Sequence, residues 1–194
     1  MKKAKEWKGV FCLEGLWEND LKLNSSVEPV LELLNKQYPK LKYIHGDCAT
    51  VEEVRFYLKK WVQKGYRDYP ILYLAFHGEE NRILVSGGQM ELDEIAAELK
   101  DKCKNRVIVF ASCSTLRINK RLVKKFIEET GCLAVCGYRA DVDWIKSTAF
   151  ELLLIEGMQD NEFSGRGMPA IQNYLKGVSK AFPELEFIMV IRGE

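Results

Sequence analysis

The sequence predicts an α/β fold: a mostly parallel, six-stranded sheet with helices on both faces. Three observations predict it. Short β-branched or aromatic runs alternate with amphipathic helical stretches at the spacing of strand–helix units. Two runs, Pro70-Ile-Leu-Tyr-Leu-Ala-Phe76 and Arg106-Val-Ile-Val-Phe-Ala-Ser112, are apolar almost throughout, as strands buried on both faces are. Ser86-Gly-Gly88, between two further short runs, marks a small hairpin inserted into the alternation.

The first strand is read from Gly9 to Leu13. Ser26, with Glu28 and Pro29 beside it, signals a helix from Ser25 or Ser26 to Gln37, with Val30, Leu31, Leu33 and Leu34 as its apolar face. Leu41 to Ile44 is a second strand. His45-Gly46-Asp47-Cys48 then turns toward the next helix, which leaves His45 at the surface. Thr50 and Glu53 form a capping box, followed by the stripe Val51, Val54, Tyr57, Leu58, Trp61 and Val62. After the strand ending at Phe76 come the hairpin arms, Arg82–Val85 and Gln89–Leu92. A helix opened by Asp93 turns Ile95, Ala96 and Leu99 inward. The strand ending at Ser112 precedes a helix with Leu122, Val123, Phe126 and Ile127 inward, closed by Gly131. Cys132 to Tyr138 reads as a strand, which puts Cys132 and Cys136 on one face. A helix over Trp144–Glu156, a loop over Asn161–Gly167, a helix over Pro169–Leu175 and a strand over Glu186–Ile191 complete the chain.

A length of 194 residues favours one domain, residues 1–194. Hydrophobic residues at 47% and charged residues at 29% suit a soluble globular chain with a sizeable core. Lys and Arg number 29 against 28 acidic residues, so no net charge calls for nucleic acid or an anionic membrane. Lys2, Lys3, Lys5 and Lys8 read as a solvated start to the first strand. The apolar stretch behind them is too short for a signal peptide and is interrupted by Glu14. No run approaches the roughly 20 apolar residues of a membrane helix. The six cysteines read as reduced, mostly buried thiols, which points to the cytoplasm. No cofactor or metal is expected. His45 and Cys48 lack a second ligand pair, and Gly165-Arg-Gly167 lacks the lysine of a phosphate loop.

His77 and Cys113 each follow a buried strand directly. In open α/β sheets, sites lie just outside the carboxyl ends of strands. If the strands are neighbours, imidazole and thiol emerge together, the minimum apparatus for nucleophilic acyl transfer. Cys113 would attack a carbonyl carbon while His77 moves the proton. The N–H groups of Gly78 and Cys113 would hold the oxyanion, and glycine after the histidine lets the backbone turn closely. Asp141, Asp143 and Trp144, past the strand ending at Tyr138, are candidate substrate-binding residues, with Arg139 near enough to neutralise one aspartate. Asp143 reads first as the cap of the helix that follows.

At these residues the chain resembles the caspase-like superfamily of cysteine peptidases, clan CD. The shared pattern is a hydrophobic block, His-Gly, a spacer, a second hydrophobic block, then a small residue and cysteine. Here it reads Leu72-Tyr-Leu-Ala-Phe-His77-Gly78, then Val107-Ile-Val-Phe-Ala-Ser-Cys113. Cys113-Ser-Thr115 and the segment Gly131 to Phe150 are closest in pattern to CHAT domains and small bacterial caspase-like proteins. The Gln-Ala-Cys signature of caspases proper is absent, and Ser112 precedes the cysteine. The resemblance implies a caspase-like three-layer sandwich with a small hairpin after the His-Gly motif. It also implies a His77/Cys113 dyad hydrolysing peptide bonds, with a basic residue before the scissile bond. Partners would be a peptide or protein substrate and, for regulation, a second copy or another protein. Two other readings stand beside it. One is a catalytically silent scaffold of the same fold, used for binding or signalling. The other is a flavodoxin-like nucleotide or flavin binder, which the acidic first loop Glu14-Gly-Leu-Trp-Glu18 suits poorly.

Overall fold

A computed structural model describes residues 7–194. In order, the elements are β1 (Val10–Gly15), α1 (Glu28–Gln37), β2 (Tyr43–Cys48), α2 (Val51–Trp61), β3 (Ile71–Ala75), β4 (His77–Glu79), β5 (Arg82–Val85), β6 (Gly88–Glu91), α3 (Leu92–Leu99), β7 (Val107–Ala111), α4 (Lys120–Thr130), β8 (Ala134–Tyr138), α5 (Trp144–Gly157), α6 (Met168–Val178) and β9 (Phe187–Ile191). The main sheet has six strands in the order β2-β1-β3-β7-β8-β9, parallel except for β9. β4, β5 and β6 form a separate three-stranded antiparallel sheet.

Strand alternation divides the core into two layers. Leu72, Leu74 and Phe76 pack with Leu58 of α2, Ile95 of α3 and Phe126 of α4. Ile71, Tyr73 and Ala75 pack with Leu31 of α1, Leu154 of α5 and Ile171 of α6. The Thr50–Glu53 capping box opens α2 as expected, and Gly131, at φ +75°, closes α4. No helix among the described residues is long and apolar enough to cross a membrane.

Several expectations need correction. Lys2, Lys3 and Lys5 lie outside the described residues, but Lys8 is buried rather than solvated. Its backbone N–H donates to Gln159 Oε1 (2.8 Å), and its Nζ donates to the Gln159 carbonyl (3.3 Å). β2 runs on to Cys48 because it pairs with β1 along its whole length, a ladder that overrides the weak strand character of His-Gly-Asp. Helix α1 starts at Glu28, and Ser26 accepts from the Glu28 N–H from outside the helix (3.0 Å). Leu33 and Leu122 are 53% and 40% exposed, off the buried stripes. Cys132 precedes β8, so strand alternation does not reach it. It lies in the α4 layer, while Cys136 lies in the α5 layer.

Glu151 of α5 is a buried carboxyl that accepts hydrogen bonds from Tyr73 Oη (2.5 Å) and Tyr138 Oη (2.9 Å). Burial pushes it up to about 7, against the pull of the two tyrosines. The folded state therefore keeps a proton that the unfolded chain releases near 4.5. Stability from this group is fully present below about pH 4.5 and falls as the pH rises through 7, by roughly 3 kcal/mol in all. Glu151→Gln cannot ionise, so it should be more stable than the parent at pH 8 and not at pH 4.5. Urea unfolding at both pH values reads this. An equal difference at the two would contradict it.

Candidate active site

β3 and β7 are adjacent and parallel, and their last paired residues are Ala75 and Ala111. His77 and Cys113 each stand two residues further on. Their neighbours place both toward the α1–α5–α6 layer: the His77 ring meets Trp17 and Cys113 Sγ meets the Val142 N–H, and Trp17 and Val142 both pack against that layer. At His77 the chain leaves the main sheet as β4, a strand that the sequence pattern did not reveal. Gly78 then passes directly over the cysteine segment. A Cβ on Gly78 would lie 2.4 Å from Thr115 Oγ1, 2.5 Å from the Cys113 carbonyl oxygen and 2.9 Å from Ser112 Cβ. The two motifs thus meet backbone to backbone, and only glycine fits between them. His77 is exposed and Cys113 is half-buried, whereas the other five cysteines are buried.

Ser114, at φ +53°, bends the chain sharply after Cys113, a left-handed conformation that costs on the order of 1 kcal/mol for a residue with a Cβ. Contacts on both sides hold the bend. Ser114 N–H donates to the Ala140 carbonyl (2.9 Å) and Ser114 Oγ to Asp141 Oδ1 (2.5 Å). Asn81 N–H donates to the Thr115 carbonyl (3.2 Å), and Thr115 Oγ1 donates to the Arg82 carbonyl (3.1 Å). The Val142 N–H points at Cys113 Sγ (3.5 Å). The cysteine loop is therefore clamped between the end of β8 and the β4–β5 hairpin.

His77 Nε2 lies 2.9 Å from the Trp17 carbonyl oxygen. A carbonyl only accepts, so Nε2 is the donor in this contact, and in the neutral ring that leaves the lone pair on Nδ1. The His77 ring meets Trp17 edge-on at 5.2 Å between centroids, and Trp17 meets Trp144 edge-on at 4.8 Å. Trp17 is fixed in turn by Glu14, buried at the end of β1, which accepts from the indole N–H. The same carboxylate accepts from Ser26 Oγ (2.7 Å) and Val27 N–H (2.7 Å), and meets His45 Nε2 at 2.6 Å. One side chain thereby ties together both ends of the loop over residues 16–27. Burial alone would raise Glu14, but hydrogen bonds from His45, Trp17, Ser26 and Val27 hold it below its ordinary value. His45 is raised, chiefly by its hydrogen bond to Glu14. His45 is thus no surface histidine, a correction that follows from the longer β2. Glu14, His45 and Asp47 offer donor atoms within 4.8 Å of one another. Both Glu14 oxygens already accept from N–H and O–H groups, so the cluster reads as a polar network.

Asp143 caps α5, accepting from the Lys146 N–H (3.0 Å). Asp141 is largely exposed and is held by Ser114 Oγ and, at 3.8 Å, by Arg117 Nη2. Its cationic neighbour is therefore Arg117 and not Arg139, whose carbonyl accepts from Arg117 Nε (2.8 Å). Trp144 stands beside them, half-exposed against Trp17. Sequence reasoning missed Glu14 and Trp17. The available signal was a carboxylate closing a wholly apolar strand, where a buried charge needs partners.

Gly78→Ala should push the hairpin off the cysteine loop, because backbone atoms at such distances do not yield as a flexible side chain would. We expect a loss of roughly 2 kcal/mol in stability, together with slower reaction of Cys113. Urea unfolding and thiol labelling read the two effects. A variant matching the parent in both would show that the close approach is unimportant.

Residues 8–163 match a family model described as a family of unknown function (DUF6642). No curated protein matches the chain. Among solved structures, the crystal structure of caspase-1 from Spodoptera frugiperda is similar at a TM-score of 0.61 and 14% identity, over 97% of this chain and 89% of that one. At that identity the likeness shows the fold: a caspase-like α/β architecture.

Proposed function

The chain belongs to the family of unknown function DUF6642; with its caspase-like fold as the second premise, we propose that it is a cysteine peptidase, a single domain over residues 1–194. In this reading it is a clan CD enzyme, nearest to CHAT domains in its Cys113-Ser-Thr115 motif. The observation that supports it most is the contact of His77-Gly78 with the Cys113 loop, the imidazole exposed and the thiol half-buried.

Nδ1 of His77 takes the proton of Cys113 Sγ, and the sulfur adds to the scissile carbonyl carbon. The N–H groups of Gly78 and Cys113 receive the negative charge on oxygen. The Trp17 carbonyl keeps the imidazole oriented and stabilises the imidazolium. His77 then gives its proton to the departing amine, leaving a thioester on Cys113. Water, deprotonated by His77, adds to the thioester and releases the acid and the thiol. Asp143 is engaged as a helix cap, so Asp141 is the stronger candidate to meet a basic side chain, with Trp144 as an apolar wall. The substrate is a peptide or protein. The free thiols suit a reducing compartment such as the cytoplasm.

The test is a panel of fluorogenic peptides carrying Arg, Lys, Asp or Asn before the scissile bond. Cleavage after Arg or Lys, weakened in Asp141→Asn, is expected. Preference for an acidic residue would remove Asp141 from the pocket, and no cleavage of any peptide would count against the peptidase reading.

A further inference from the structure

We propose that the cavity at the amino-terminal edge of the sheet, remote in the strands from Cys113, binds a small polyphosphorylated anion. The cavity measures about 630 Å³. Lys64, Arg67, Lys102, Lys104 and Arg106 line it against a single carboxylate, Asp68. The chain as a whole carries a formal charge of only +1, so this is a local concentration of cations rather than a sample of a basic surface.

Arg106 carries the argument furthest. It is buried just before β7, its guanidinium lies over the Trp61 ring at 4.5 Å, and Nη1 donates to the Trp61 carbonyl. No carboxylate stands within ion-pair reach of it among the described residues, although buried arginines are ordinarily paired with an acid. Burial lowers its pKa, with no acidic group opposing the shift except the Cys103 thiol. Arg82 Nε is the only sealed side-chain nitrogen or oxygen without a hydrogen-bond partner among the described residues. The remaining Arg106 N–H groups are therefore open to the cavity that the residue lines.

The other cations are only lightly engaged. Lys64 and Lys104 form no ion pair among the described residues. Lys102 Nζ reaches only the Glu98 carbonyl (3.4 Å), and Arg67 approaches Asp68 at 3.9 Å with both side chains exposed. A planar guanidinium fork flanked by exposed ammonium groups suits clustered phosphate oxygens better than one carboxylate. The cations converge on one cavity, and no aromatic side chain lines it on which a nucleobase could stack. This favours a compact anion over nucleic acid. The inference is independent of the peptidase reading.

Isothermal titration of the whole chain with sodium tripolyphosphate tests it. Saturable binding at one site is expected, weakening with added salt, and weakening ~10-fold or more in Lys64→Ala/Lys104→Ala, whose altered side chains are exposed and leave the fold intact. Arg106→Lys removes the fork and should weaken binding further. The proposal fails if millimolar tripolyphosphate gives no saturable signal or if the double variant binds as well as the parent. It also fails if, at equal salt, a single-stranded oligonucleotide or an oligoglutamate peptide binds as tightly.

Discussion

Cys113→Ala should abolish peptide cleavage while leaving the fold unchanged. Removing the nucleophile of a cysteine peptidase costs ~10³-fold or more in turnover, because the remaining groups only bind and polarise the carbonyl. The structural cost is small. Cys113 is half-buried and accepts one weak contact from the Val142 N–H, so stability should move by less than about 1 kcal/mol. Turnover and urea unfolding on the same preparation separate the two effects. Undiminished cleavage by the alanine variant would assign the activity elsewhere. Loss of folding would mean that the thiol is structural.

Glu14→Ala should be the most destabilising single change around the site. It strands the indole N–H of Trp17, Ser26 Oγ, the Val27 N–H and His45 at once, and frees both ends of the loop over residues 16–27. Breaking a buried, hydrogen-bonded charge pair costs roughly 3–5 kcal/mol. Glu14→Gln keeps the shape and one acceptor, so it should fold. With Trp17 less firmly held, it should lose turnover with little change in KM. The pair also has a pH window. The lowered Glu14 contributes above its ordinary value near 4.5 and stops contributing as the pH falls through its folded value. The raised His45 contributes fully below its ordinary value near 6.5 and stops as the pH rises through its folded value. His45→Gln should therefore lose more stability at pH 6 than at pH 9. Equal losses at the two would mean that the pair is not ionic.

The main elements were legible because their chemistry is local. The apolar runs ending at Phe76 and Ser112 are short, rich in β-branched and aromatic residues and followed by small or polar ones, as buried strands are, and the Thr50–Glu53 box and Gly131 fix helix ends by their own hydrogen bonds and backbone angles. What the sequence hid is set by pairing across distance. β2 continues through polar residues because β1 offers it a ladder, and β4 exists because β5 pairs with it. The sequence put His77, Gly78 and Cys113 at the ends of two strands. The register of β3 against β7 sets those ends side by side, and the turn into β4 lays Gly78 against the Cys113 carbonyl. Glu14 stayed hidden because its partners, Ser26 and His45, lie 12 and 31 residues away.

Iodoacetamide labelling of the native chain at neutral pH, with Cys113 compared in the parent and in His77→Ala, tests the central claim most directly. Burial pushes the thiols of Cys12, Cys103 and Cys136 up, that of Cys48 to about 12 and that of Cys132 to about 11, so these should stay inert while the protein is folded. The account predicts fast, selective alkylation of Cys113 that slows when His77 is removed. Labelling of Cys113 no faster than the other five, or untouched by loss of the imidazole, would contradict it and leave a caspase-like scaffold without the dyad's chemistry.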